Sequence, residues 1–142
     1  MPDILHRIGI NARPEKVFAA LATLEGVRGW WVSTAKGDAK KGGTVDFGFC
    51  DMKVAAADPG ARVHWQCAGG PAEWVGTEVI FELEWKDGQT FVLFTHKGWR
   101  EPVEFMHHCS TKWATFLLSL RELVESGAGR PAPHDLKIHV GD

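Results

Sequence analysis

Two alternating apolar runs flank Asp87-Gly88, and this pattern restricts the fold more tightly than any other stretch of the chain. Asp-Gly is a strong signal for a two-residue hairpin turn. Setting Lys86 opposite Gln89 places Trp85 opposite Thr90, Leu83 opposite Val92, Phe81 opposite Phe94 and Val79 opposite His96. One face of the predicted hairpin is therefore apolar until His96. The other face of its first strand reads Glu78, Ile80, Glu82 and Glu84, a mostly solvated pattern. After Gly98 the period changes. Phe105, Cys109, Trp113, Phe116, Leu117, Leu120, Leu123 and Val124 fall on one helical stripe, predicting an amphipathic helix over residues 102–126, about 36 Å long.

The chain before the hairpin is read in the same way. Ile4, His6, Ile8 and Ile10 alternate, predicting a first strand. Arg13-Pro14-Glu15 begins a helix with Pro in its first turn and an acid at its positive end. Gly26 and Gly29 are expected to break that helix and open a short second one ending near Trp30-Trp31. Residues 31–36 are expected as a short strand. Alternation at Val45, Phe47 and Phe49, then at Met52, Val54 and Ala56, then at Val63, Trp65 and Cys67 predicts three more. Gly127 and Gly129 end the long helix, and residues 131–142 form an extended tail in which Leu136, Ile138 and Val140 could add an edge strand. The expectation is one α+β domain over 1–142. A curved antiparallel sheet of about six to seven strands wraps the long C-terminal helix, with two short helices after the first strand.

Composition removes several classes of function. Net charge is −2, with 16 basic and 18 acidic residues, and no basic stretch marks a nucleic-acid footprint. No apolar run is long enough to cross a membrane. Met1–Leu5 lacks signal-peptide character, so the expected location is cytoplasmic. Cys50, Cys67 and Cys109 are odd in number and widely spaced, which predicts buried free thiols in place of disulfides or a Cys-x-x-Cys metal site. The chain holds 7 Trp, 8 Phe and no Tyr, so an inner wall built from it carries bulk with few hydroxyls.

Several phrases, in order, resemble the START-like or Bet v 1-like helix-grip superfamily, in the branch related to the activator of Hsp90 ATPase. They are Pro14-Glu15-Lys16-Val17-Phe18-Ala19-Ala20-Leu21 followed by Trp30-Trp31, then Gly43-Thr44-Val45-Asp46-Phe47, then Arg62-Val63-His64-Trp65. Phe91 to Gly98 resembles the last strand, and Lys112-Trp113 with Leu117 and Leu120 the long helix. The resemblance covers nearly the whole chain. It implies a helix-grip fold and a cavity between sheet and helix. The superfamily also includes polyketide cyclases, other enzymes and co-chaperone domains, so fold alone does not select a function. The co-chaperone proper carries a separate N-terminal Hsp90-binding domain, for which 142 residues leave no room.

The expected function is binding of a small hydrophobic or amphipathic molecule without catalysis and without a cofactor. The alternatives are a cyclase or hydrolase using the same pocket, and a stress-related interaction module. A homodimer is also expected as a partner state. Candidate wall residues on the sheet are Phe47, Phe49, Trp65, Phe81, Trp85 and Phe94. On the long helix they are Trp113, Phe116, Leu117 and Leu120, and Trp30, Trp31 and Trp74 stand at the expected opening. His96 is the first polar candidate, as an anchor or a general base, because imidazole titrates near neutrality. Glu73 and His64 are the other candidate acids or bases. Arg7 and Arg28 are read as solvated charges. No metal site is expected. His107 and His108 are adjacent on a helix and point about 100° apart, and no carboxylate follows at i+3 or i+4 to complete a ligand set.

Overall fold

The computed structural model describes residues 1–142. Seven strands form one antiparallel sheet in the order β1-β7-β6-β5-β4-β3-β2. They are β1 (Ile4–Ile10), β2 (Lys36–Gly37), β3 (Thr44–Asp46), β4 (Asp51–Asp58), β5 (Arg62–Gly69), β6 (Glu78–Lys86) and β7 (Gln89–Lys97). The hairpin register is the one the Asp87-Gly88 turn predicts, from Lys86↔Gln89 to Val79↔His96. Asp87 and Gly88 both take positive φ, 56° and 74°, as a turn matched to strand twist requires. The sheet bends around α3 (Glu104–Ser126), whose buried stripe includes Cys109, Trp113, Phe116, Leu117, Leu120 and Val124. This is the helix-grip arrangement. No helix is long and apolar enough to cross a membrane.

The helix pair differs in one respect from the reading of its glycines. The break falls at Thr23, between α1 (Pro14–Ala22) and α2 (Leu24–Trp30). Thr23 caps α2, its hydroxyl oxygen accepting from the Gly26 N–H at 3.0 Å, and both glycines lie inside α2. They are there for close approach. A Cβ on Gly26 would lie 2.3 Å from the Ala20 carbonyl oxygen, and one on Gly29 would lie 2.9 Å from Leu123. The glycines let α2 sit against α1 and α3, which places Trp30 and Trp31 inside the core.

Three further expectations are corrected. Residues 31–35 are not a strand: Trp31 caps α2, and only Lys36–Gly37 pairs with β3. The alternation at Val45 and Phe47 does not continue to Phe49. Gly48 turns the chain at φ 87° and the Phe47 N–H bonds the Cys50 carbonyl at 2.8 Å, so Phe49 swings to the rim at 47% exposure. Leu136, Ile138 and Val140 add no strand. The tail instead touches Val32 through a single bridge at Ala132 and runs back over α3 in turns, with Val140 fully exposed.

Candidate functional site

The rings expected to line a pocket mostly fill the grip themselves. Trp31 stacks on Trp65 with centroids 5.6 Å apart and a 5° tilt, and lies 4.2 Å from Phe47 and 4.9 Å from Trp113. Phe81 meets Trp65, Phe94 and Trp30 edge-on. Trp30, Phe47, Trp65, Phe81, Phe94, Leu117 and Leu120 are all buried in one cluster, and none of them lines the cavity described next. Dense packing of this kind is the ordinary state of a protein interior. Trp85 lies outside the cluster. It is 44% exposed, with the Arg13 guanidinium 4.5 Å above its ring, because the end of the hairpin runs past the edge of the core.

A cavity of about 310 Å³ lies away from the concave face of the sheet, toward the rim. No strand residue lines it. Its floor is the first half of α3: Phe105, His108, Cys109, Lys112, Trp113 and Phe116. Trp31, Val32, Phe49 and Trp74 form the side walls. Ala132, Pro133, Asp135, Lys137 and Asp142 of the C-terminal tail close the remaining side. Five of the fourteen candidates therefore stand together here: Trp31, Phe49, Trp74, Trp113 and Phe116. Phe49 meets Trp31 and Trp74 edge-on at 5.8 and 5.5 Å, and Trp74 stacks over Trp113 at 6.0 Å and 13°. The result is an aromatic slot.

His96 does not reach that slot. It is fully buried behind Trp74 and Trp113 and both its ring nitrogens are occupied. An indole N–H can only donate, so Trp113 Nε1 donates to His96 Nδ1 at 3.1 Å. The ring proton is thereby fixed on Nε2, which donates to Thr77 Oγ1 at 2.8 Å. The Thr77 hydroxyl in turn donates to the Trp74 carbonyl at 2.6 Å. Burial holds the imidazole neutral, with its pKa lowered to about 3. The relay positions Trp74; it offers no base to a ligand.

Trp74 carries the polar feature of the wall. It is 5% exposed, and its Nε1–H has no nitrogen or oxygen partner, only the weakly accepting Cys109 sulfur beside it. A buried donor left unpaired costs about 1–3 kcal/mol. The Cys109 thiol lies beside this indole on the same cavity, its pKa raised to about 11 by burial first, against the indole contact. It is thus a protonated, inert wall atom. Cys50 and Cys67 are also free and buried, with pKa values raised by desolvation.

The charged end of the cavity was not legible in the sequence. Lys112 lies outside the apolar stripe of the helix, yet its side chain is only 14% exposed. Its ammonium bonds Asp135, Asp142 at 2.9 Å and the Leu136 carbonyl at 3.1 Å. Burial works against the charge on Lys112, but the two carboxylates outweigh it and the pKa is raised. The Lys112 hydrogen bond, with the Ile138 N–H, holds Asp142 down to about 2. This network pins the tail over the cavity. The one signal available for it was position: Lys112 lies four residues from His108 and four from Phe116, on the stripe that turns toward the slot.

The remaining candidates stand elsewhere. Glu73 lines a separate pocket of about 170 Å³ with Trp99 and Arg100. His64 lies between Arg62 and Glu78 at 3.1 and 2.7 Å, on β5 positions that alternate with the buried Val63 and Trp65. Arg28 donates to the Ala35 carbonyl at 2.6 Å, and Arg7 lies 4.6 Å above the Phe91 ring. None of the four lines the aromatic slot.

Comparisons with known proteins agree with this fold. Among solved structures, the Aha1 dimer from Colwellia psychrerythraea is 48% identical, with a TM-score of 0.83 over 91% of this chain and 100% of that one. A Staphylococcus saprophyticus protein is 19% identical, with a TM-score of 0.77 over 92% of this chain and 98% of its own. CalU16 from Micromonospora echinospora is 18% identical, with a TM-score of 0.74 over 88% and 77%. The last two share the fold alone. No curated protein matches the chain. A family profile, Activator of Hsp90 ATPase homolog 1-like protein, matches residues 11–125. By that match and the 48% identical relative, the chain belongs to the Activator of Hsp90 ATPase homolog 1-like family.

Proposed function

We propose that this protein binds a small, flat, largely apolar molecule carrying a hydrogen-bond acceptor, in the slot between Trp74, Trp31, Phe49 and the first half of α3. The observation that carries this reading is the aromatic slot itself, a cavity of about 310 Å³ walled by Trp31, Phe49, Trp74, Trp113 and Phe116, beside which the Trp74 indole N–H has no nitrogen or oxygen partner. A ligand carbonyl or ether oxygen would satisfy it. The rings around it would contribute apolar burial at about 25 cal/mol per Å² of gross transfer energy. Binding without catalysis is favoured because His96, the buried histidine behind the slot, is locked in a single tautomer away from it. Cyclase or hydrolase chemistry would need a free acid or base on the slot wall; neither Glu73 nor His64 stands there, Asp135 and Asp142 are tied to Lys112, and the chemistry would have to rest on His108.

Native mass spectrometry of protein purified from its own host tests the reading. A non-covalent adduct of small-molecule mass is expected, about fivefold less populated in Trp74→Phe, as one lost hydrogen bond of about 1 kcal/mol implies. A uniformly unliganded spectrum, with no thermal stabilisation by any compound of a flat aromatic library, would remove it.

The partner state we propose is a homodimer. It is supported by the 48% identical relative, which is described as a dimer. Light scattering on the eluting protein should give twice the 15.7 kDa chain mass; a monomer mass up to high micromolar concentration contradicts it.

A further inference from the structure

One cluster at the mouth of the slot is unused by the ligand reading. His108 on α3 and His139 and Asp142 in the tail each present a ligand atom, and these atoms all lie within 4.8 Å of one another. Each has free donor capacity. The His139 Nδ1 and the Val140 carbonyl are 2.7 Å apart; Nδ1–H donates there, so the Nε2 lone pair remains available. That second hydrogen bond is how metal-ligating imidazoles are commonly oriented. Lys112 and the Ile138 N–H both bond Asp142 through Oδ2, leaving Oδ1 open. The His108 ring lies on the face of Phe105 at 5.8 Å and 10°, and 5.5 Å from the His139 ring. Its nitrogens make no hydrogen bond to the chain.

We propose that His108, His139 and Asp142 form a site for one divalent ion of the zinc type, and that the bound ion fastens the C-terminal turn to α3. Two imidazoles and one carboxylate suit zinc, nickel or copper and not magnesium, which prefers oxygen ligands. Bonds of about 2.1 Å set tetrahedral donors about 3.4 Å apart. The three groups must therefore close by about 1 Å, which the exposed His139 can do. Water or a ligand heteroatom fills the fourth position. His108 and Asp142 also line the slot, so the ion would stand at its charged end. Neighbouring charges are nearly balanced there: Lys112 and Lys137 face Asp135 and Asp142. The Lys112 ammonium opposes a dication but occupies the far carboxylate oxygen. This proposal does not depend on an organic ligand.

Isothermal titration of metal-stripped protein with Zn²⁺ at pH 7.5 tests it, with Mg²⁺ as control. The expected result is one Zn²⁺ per chain and no Mg²⁺ binding. His108→Ala and His139→Ala should each weaken Zn²⁺ by at least about tenfold, the loss that even outer partners of a metal site cause. Affinity should fall from pH 7.5 to 5.5, because an imidazole must shed its proton to ligate. Hydrogen exchange across residues 131–142 should slow with Zn²⁺ in the parent protein and not in His139→Ala. Circular dichroism melts confirm that both variants fold. Absence of Zn²⁺ binding, or binding unchanged in both variants, would overturn the site. Binding that leaves tail exchange unchanged would overturn the fastening. Because Zn²⁺ is added alone, failure here leaves the slot reading separately testable.

Discussion

Trp113 Nε1 donates to His96 Nδ1 across the centre of the grip, at 3.1 Å. The bond joins the long helix to the last strand, and through Thr77 it reaches the backbone of Trp74. A residue with the chemistry of a general base is thereby converted into a spacer that holds an aromatic wall.

Stability should depend on acid through His96. Its folded pKa is lowered to about 3 by burial, so the unfolded chain takes up a proton that the folded chain refuses. The contribution of the neutral ring is fully present above about pH 6.5 and is lost as pH falls toward 3, at up to about 1.4 kcal/mol per pH unit. Urea unfolding should therefore show about 2–3 kcal/mol lost between pH 7 and pH 4.5 from this group alone. Carbon NMR of the imidazole should show a neutral ring throughout. A ring that titrates near pH 6.5 would contradict the relay.

Trp113→Phe keeps most of the ring volume but removes the donor. His96 Nδ1 is then buried without a partner, at a cost of about 1–3 kcal/mol. The urea midpoint should fall accordingly, and the Trp74 indole resonance should shift although Trp74 is unchanged. An unaltered midpoint would mean the hydrogen bond contributes nothing.

Lys112→Met removes the cation shared by Asp135 and Asp142. Asp135 has a side-chain exposure of 5%, and an uncompensated charge that deep is costly, about 3 kcal/mol. Lys137 remains on its other oxygen at 3.0 Å and limits the loss. The expected outcome is a lower unfolding free energy together with faster hydrogen exchange across 131–142. Exchange that stays slow would show that Lys112 is not what holds the tail.

The thiols should be unreactive. Cys109 is buried and its pKa is raised to about 11, and Cys50 and Cys67 are raised by burial as well. Thiolate is the reacting form, so Ellman's reagent at pH 8 should modify none of the three within the time that labels all of them in guanidinium. Fast labelling of Cys109 would indicate a slot more open than the one described.

The sequence carried the fold well, for local reasons. A two-residue turn and a change of period fix register and partner without knowledge of distant contacts, and the hairpin from Val79 to His96 pairs as read. Free buried cysteines were legible on the same footing. The site was less legible. Trp74, Trp31 and Trp113 were among the rings expected to bind, but their number concealed that most rings fill the core. Phe49 left its alternation because Gly48 turns the chain, a backbone choice that side-chain pattern does not report. The tail was hardest. Asp135, His139 and Asp142 meet Lys112 and His108 only after some thirty residues of chain have folded back. No spacing rule spans that distance, and the helix alone offered His108 no third ligand.

If a ligand acceptor takes the Trp74 indole N–H, the resonance of that proton reports it directly. Naphthalene and 2-acetonaphthone share one apolar body and differ by a carbonyl group. Each should be titrated into nitrogen-15-labelled protein while the 7 indole resonances are followed, with Trp74→Phe assigning the signal. The ketone should bind about fivefold tighter, as expected for one hydrogen bond of about 1 kcal/mol. The Trp74 N–H should shift downfield with the ketone only, and Trp74→Phe should show no preference between the two compounds. Equal binding of both, or a ketone that moves other indoles and leaves Trp74 still, would contradict a hydrogen bond from Trp74 to the ligand.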